Sequence, residues 1–153
     1  MFHYINYNFL YYIIIMDKLI SQAEDIDLTG LDLQRITRED TNIRTYHQLE
    51  QAENIEEILG YKSKACIILY ETQHNIGHWC SVFLRPEDPR VIEFFDPYGN
   101  APDSQLKFAV YNLKNDKPYL TYLFDKWIKR GGKVVYNNYK LQLFKKDVNT
   151  CGR

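Results

Sequence analysis

Between positions 77 and 99 the chain reads GHWCSVFLRPEDPRVIEFFDPYG, with a histidine near one end and an aspartate near the other. Two apolar runs, WCSVFL (79–84) and VIEFF (91–95), flank the polar turn text RPEDPR, the pattern of a β-hairpin. If the hairpin turns about EDP, residues whose numbers sum to 174 face each other: Leu84 and Arg90, Val82 and Ile92, Cys80 and Phe94. The same register, carried outward, sets His78 opposite Asp96. Opposed side chains on one sheet face have Cβ atoms about 4.5–5.5 Å apart, close enough for an imidazole to bond a carboxylate. Such a carboxylate fixes the ring's tautomer and stabilises the imidazolium when it forms. A slip of one residue would put the two on opposite faces. The third reactive group is Cys151, in the small and polar text NTCGR. A thiol beside an imidazole gives up its proton and becomes a nucleophile near neutral pH. Two plainer accounts stand beside this one: a satisfied polar pair at a sheet edge, and an ordinary tail cysteine. A metal reading is also open to inspection. His74 and His78 are four apart with Cys66 and Cys80 nearby, but the segment reads as a loop entering a strand, and Cys80 is embedded in apolar text. No metal and no cofactor are therefore expected.

The surrounding text predicts the elements that must hold these groups. Residues 46–59, YHQLEQAENIEEIL, place Tyr46, Leu49, Ala52, Ile55 and Leu59 on one stripe and predict a helix stopped by Gly60. ACIILYET (65–72) predicts a buried strand ahead of the hairpin. After the turn-rich DPYGNAPD, Asp103 is placed to cap a helix over 104–113. PYLTYLFDKWIKR (118–130) predicts a second helix, opened by proline and closed by Gly131 and Gly132, and KVVY (133–136) a last strand. Helices and strands in blocks around a central hairpin indicate an α+β fold.

The chain has 153 residues, the size of one domain. Its net charge of −1 implies no polyelectrolyte partner. The charge is uneven, with eleven acids and four bases over 16–60 but three acids and eleven bases over 104–153. That basic C-terminal third could make a weak nucleic-acid contact or meet an acidic partner, and a solvated helix face is the blander account. Three irregularly spaced cysteines argue against a disulfide scaffold and for a reducing intracellular compartment. The opening MFHYINYNFLYYIII is uncharged and aromatic, too short to span a bilayer, and without the basic start of a signal peptide. Residues 1–15 read as an upstream extension, with a weak interfacial anchor as the alternative, and 16–153 as one domain.

The order His-Trp, an aspartate closing FFD-P-Y-G, a glutamine, then Cys-Gly resembles the adenain-like cysteine proteases. That group includes the adenovirus protease, the SUMO-specific proteases and enzymes of large DNA viruses. The likeness is to the viral forms above all, in GHW, IEFFDPYG with PD after it, YNNYKLQ and TCGR, and it runs from about Leu28 to Arg153. It implies a papain-related core with a mixed or antiparallel sheet and flanking helices. It further implies His78 as general base, Asp96 as its orienting acid, Cys151 as nucleophile, and Gln142 in the oxyanion hole. Asn138 fits the pattern without an obvious role, and Trp79 is expected to pack beside the histidine. The substrates implied are proteins, either virion precursors cut next to small residues or conjugates of a ubiquitin-like modifier. The setting implied is the host cytoplasm or the virion. A non-catalytic remnant or binding module is the reading from another class.

In such enzymes the cysteine begins a buried helix, whose N-terminal N–H groups and dipole favour the thiolate. Only Gly152 and Arg153 follow Cys151 in this sequence. The expectation is a C-terminally truncated domain lacking that helix, with a raised thiol pKa and little activity of its own.

Overall fold

The computed structural model describes residues 29–37, 40–73, 76–108 and 117–141. The expected extension at 1–15, Gln142 and Cys151 lie outside the described residues. The fold is α+β, built on one five-stranded sheet in the order β1-β2-β3-β4-β5. The strands are β1 (Asn42–Thr45), β2 (Ala65–Gln73), β3 (Ile76–Arg85), β4 (Asp88–Phe95) and β5 (Lys133–Tyr136). The three central strands are antiparallel, whereas both outer joins, β1 to β2 and β4 to β5, are parallel. A parallel join needs a long return, and the helix α2 (Tyr119–Lys129) lies within the one between β4 and β5. The short helix α1 (Gly30–Ile36) precedes β1.

Alternation along the strands sorts the side chains onto two faces. Cys66, Ile68, Tyr70, Cys80, Val82, Ile92 and Phe94 pack against Leu120, Leu123 and Phe124 of α2. On the other face Leu69 and Trp79 pack with Leu33 of α1. His78 and Asp96 have the numbering parity of the α2 side, so both sit at the rim of the main core.

Four expectations are corrected. The segment 46–59 is not an α-helix but two 3₁₀ turns, Tyr46–Gln51 and Ile55–Glu57. Its apolar residues at 46, 49, 52 and 55 repeat every three, the 3₁₀ period, and Tyr46, Leu49 and Ile55 are buried. The helix expected over 104–113 is a 3₁₀ turn over Ser104–Phe108, with 109–116 outside the described residues. Asp103 does cap a helix, but a different one. Its Oδ2 accepts from Thr121 N (2.7 Å) and Thr121 Oγ1 (2.6 Å) in the first turn of α2, where Pro118 has no side chain to offer. Tyr46 is fully buried and donates its hydroxyl to Asp103 Oδ1 at 2.6 Å, while Tyr119 N donates to the same hydroxyl at 2.8 Å. Burial, then the Asp103 charge, push the Tyr46 phenol far above its usual pKa, so it remains a donor.

The fourth correction is the hairpin register. Ser81 faces Phe95, Val82 faces Phe94 and Leu84 faces Ile92, so partner numbers sum to 176 and not 174. The turn is at Pro86 and Glu87, with Arg85 opposite Asp88. One step from Arg85 to Leu84 is then matched by four from Asp88 to Ile92, a bulge of three extra residues on β4. An even shift preserves the face, so the side chains expected to share a surface still share it.

Candidate active site

The new register explains the site's geometry. Extended past the end of β4, it sets Tyr98 opposite His78 and Asp96 opposite Cys80. His78 and Tyr98 stack, with ring centroids 4.6 Å apart and an interplanar angle of 25°. Asp96 therefore reaches His78 diagonally, and His78 Nε2 lies 2.8 Å from Asp96 Oδ1. Both side chains are buried, Asp96 completely.

Gly77 makes room for this arrangement. A Cβ there would stand 1.9 Å from the Tyr70 carbonyl oxygen, in the backbone of the adjacent strand β2. A side chain at 77 would push β3 away from β2 at the residue before the histidine, which gives the glycine of GHW a steric reason.

The Asp96 carboxylate has further partners. Tyr98 N–H donates to Oδ1 at 2.8 Å and the buried Gln105 donates its Nε2 to Oδ2 at 3.3 Å. Burial by itself would raise the Asp96 pKa. The hydrogen bond from His78 and its charge, then Tyr98 N–H and Gln105, outweigh it and hold the carboxyl below its ordinary value. An ionised carboxylate only accepts, so Nε2 carries the proton of this bond, and whenever the ring is neutral its basic nitrogen is Nδ1.

Asn137 holds the backbone of the same residue. Its Oδ1 accepts from Asp96 N at 2.9 Å, and its Nδ2 donates to Asp96 O at 2.6 Å. The stretch after β5 then follows the turn after β4. Leu141 N donates to Pro97 O at 2.9 Å, and a Cβ on Gly99, whose φ is +68°, would meet Tyr139 O at 2.6 Å. Leu141 is the residue before Gln142.

The structure thus brings together His78 and Asp96 of the expected four, while Gln142 and Cys151 lie outside the described residues. Trp79 is not beside the histidine. It points to the opposite face and packs with Leu33 and Leu69, because neighbours on a strand alternate. Asn137, not the adjacent Asn138 singled out from the pattern, is the asparagine that touches the site. Gln105, Tyr98 and Asn137 were missed as site residues, although YNNYKLQ contained the right asparagine.

His78, Cys80 and Asp96 present ligand-type atoms within 4.8 Å of one another. The 2.8 Å between Nε2 and Oδ1 is a hydrogen-bond distance, and two ligands of one tetrahedral zinc ion would stand about 3.3 Å apart on bonds near 2.0–2.1 Å. The pair as it stands is a buried hydrogen bond. The other described thiol, Cys66, is pushed up to about 12 by burial, against a smaller opposing effect of Arg44, and is chemically quiet.

The chain is 34% identical over 137 residues to the Uncharacterized protein V9 of Sputnik virophage, a match spanning 89% of this chain and 77% of that protein. It belongs to the V9 family. No family model matches the chain, and no solved structure does.

In this V9-family chain the lowered Asp96 pKa has a consequence for stability. A carboxyl with a folded pKa below its unfolded value, near 3.9, stabilises the fold fully above that value, and the contribution fades as pH falls through the folded pKa. Urea midpoints measured from pH 6 down to pH 2 should fall steeply below pH 4, and Asp96→Asn should flatten that decline. An unchanged slope in the variant would show that the titration belongs to other carboxyls.

Proposed function

We propose that this chain is a cysteine-type endopeptidase domain of the adenain-like kind, papain-related in its core, that matures virion proteins. The observation that carries the reading is the buried His78–Asp96 hydrogen bond, which fixes the Nε2 tautomer and so makes Nδ1 the basic nitrogen. In this mechanism Nδ1 takes the proton of Cys151, and the thiolate attacks a peptide carbonyl. The imidazolium, stabilised by Asp96, protonates the departing amine as the C–N bond breaks. Water then cleaves the thioester and regenerates the thiol. Gln142 and the N–H of Cys151 are the groups assigned to the tetrahedral oxyanion.

The course of the chain after β5 supports the reading. The chain beyond β5 lies against Pro97 as far as Leu141, so the sequence carrying Gln142 and Cys151 starts from the site's own margin. No helix among the described residues is long and apolar enough to cross a bilayer.

Alkylation by iodoacetamide, resolved cysteine by cysteine by mass spectrometry, tests the assignment. Cys151 should react faster than Cys66 or Cys80, and His78→Ala should remove that advantage. Equal rates for Cys151 with and without His78 would refute the nucleophile assignment. Cleavage of peptides with Gly-Gly at the cut, set against labelling by a ubiquitin-like probe carrying an electrophile, separates a virion-maturing enzyme from one that removes a modifier.

A further inference from the structure

We infer that Asn137 is a positioning residue for the catalytic dyad: its amide clasps the Asp96 peptide on both sides and thereby aims the carboxylate at His78. The inference rests on the protease reading for its purpose but on geometry for its substance.

Asp96 directly follows the last residue of β4, and Asn137 directly follows the last residue of β5. The two strands are parallel, with Phe94 opposite Tyr136, so both chains leave the sheet at the same level. Beyond that point the β4–β5 ladder ends, and in the turn that follows Gly99 N donates to Asp96 O at 2.8 Å. The Asn137 side chain continues the ladder by one rung, accepting from Asp96 N and donating to Asp96 O. The same Nδ2 lies 3.3 Å from Tyr139 O, which turns the following segment back along Pro97 to Gly99. Asn137 is buried, so water does not compete for these bonds. With the peptide at 96 held, Oδ1 can meet both His78 Nε2 and Tyr98 N–H. A carboxamide offers an acceptor and a donor side by side, and glutamine, the other residue that has one, would carry it a methylene further from the backbone. Aspartate would lack the donor and set a second negative charge beside Asp96.

The test is ¹⁵N-histidine NMR on the full chain, reading the His78 Nε2–H proton bonded to Asp96. In Asn137→Ala its exchange with water should quicken by about tenfold, the size expected when a hydrogen bond's worth of constraint is lost. Amide protection at Ile68, Val82 and Phe94 should stay within about twofold over the same measurement, a contrast that general loosening would not produce. Asn137→Ser is the second variant. Its hydroxyl replaces one rung at most and should give an intermediate exchange rate. An unchanged Nε2–H in a folded variant would overturn the inference. So would equal loosening of the core amides, or failure of both variants to fold, since either makes Asn137 a structural residue only. Failure of the protease reading would leave a different mark: Cys151 alkylation in the parent chain would ignore His78, while the Nε2–H signal still reports on Asn137.

Discussion

Replacing His78 by alanine is expected to lower peptide cleavage by roughly 10²–10⁴-fold, the usual contribution of a positioned general base. In the proposed mechanism, removing the ring takes away the base that forms the thiolate and the acid that protonates the amine, so the loss should appear in kcat more than in KM. Asp96→Asn keeps the size of the side chain but ends its role as a pure acceptor. The asparagine can turn its own N–H₂ toward Nε2, which favours the tautomer with the proton on Nδ1, the wrong nitrogen for a base. Combining Asp96→Asn with His78→Ala should cost no more than His78→Ala alone, because the aspartate acts through the ring. Rates fitted for the parent and the three variants decide the matter. Additive losses would mean that Asp96 acts on the substrate by some other route, and full turnover in Cys151→Ala would dismiss the mechanism.

Replacing Asp103 by alanine is expected to destabilise the fold by about 2–3 kcal/mol, from the lost cap of α2 and the charged bond to Tyr46 together. Asp103 sits at φ +62°, a conformation that alanine resists and glycine accepts. Asp103→Gly therefore separates the two causes: it relieves the backbone cost but still takes the carboxylate from Thr121 and from the buried Tyr46 hydroxyl, which keeps Lys117 O as its weaker acceptor at 3.1 Å. Urea unfolding of both variants provides the measurement. A loss under about 0.5 kcal/mol in Asp103→Gly would show that the cap matters little and that backbone strain dominates in the alanine variant.

Parts of this fold were legible because one rule dominates locally. The apolar runs at 65–72, 79–84, 91–95 and 133–136 are strands, and Pro118 with Gly131 brackets α2, whose C-terminal turn has Gly131 at φ +88°. The strand β1 was not visible, because NIRT has no apolar run and is a strand only through its parallel pairing with β2. The hairpin text contains two prolines, Pro86 and Pro89, and either can seed a turn. The choice between them moved the register by two and left the face intact. Asp96 was legible for that reason. Asn137 was not, because its role depends on a contact 41 residues away that only the β4–β5 pairing creates. The opposite error arose at Trp79, where adjacency to His78 in sequence suggested adjacency in space and strand alternation denied it.

The sheet also divides the molecule lengthwise. His78 is near the start of β3 and the Pro86–Glu87 turn closes its far end, eight residues and so about 26 Å away at strand spacing. The Gly131–Gly132 turn that leads into β5 lies at that far end too, joined there by the Trp127 Nε1 bond to Arg90 O at 3.0 Å. An epitope, a fluorophore or a surface tether grafted between Pro86 and Glu87 would therefore stand clear of the His78–Asp96 pair. The hairpin turn is a handle by which the protein can be immobilised with that pair at the end away from the support.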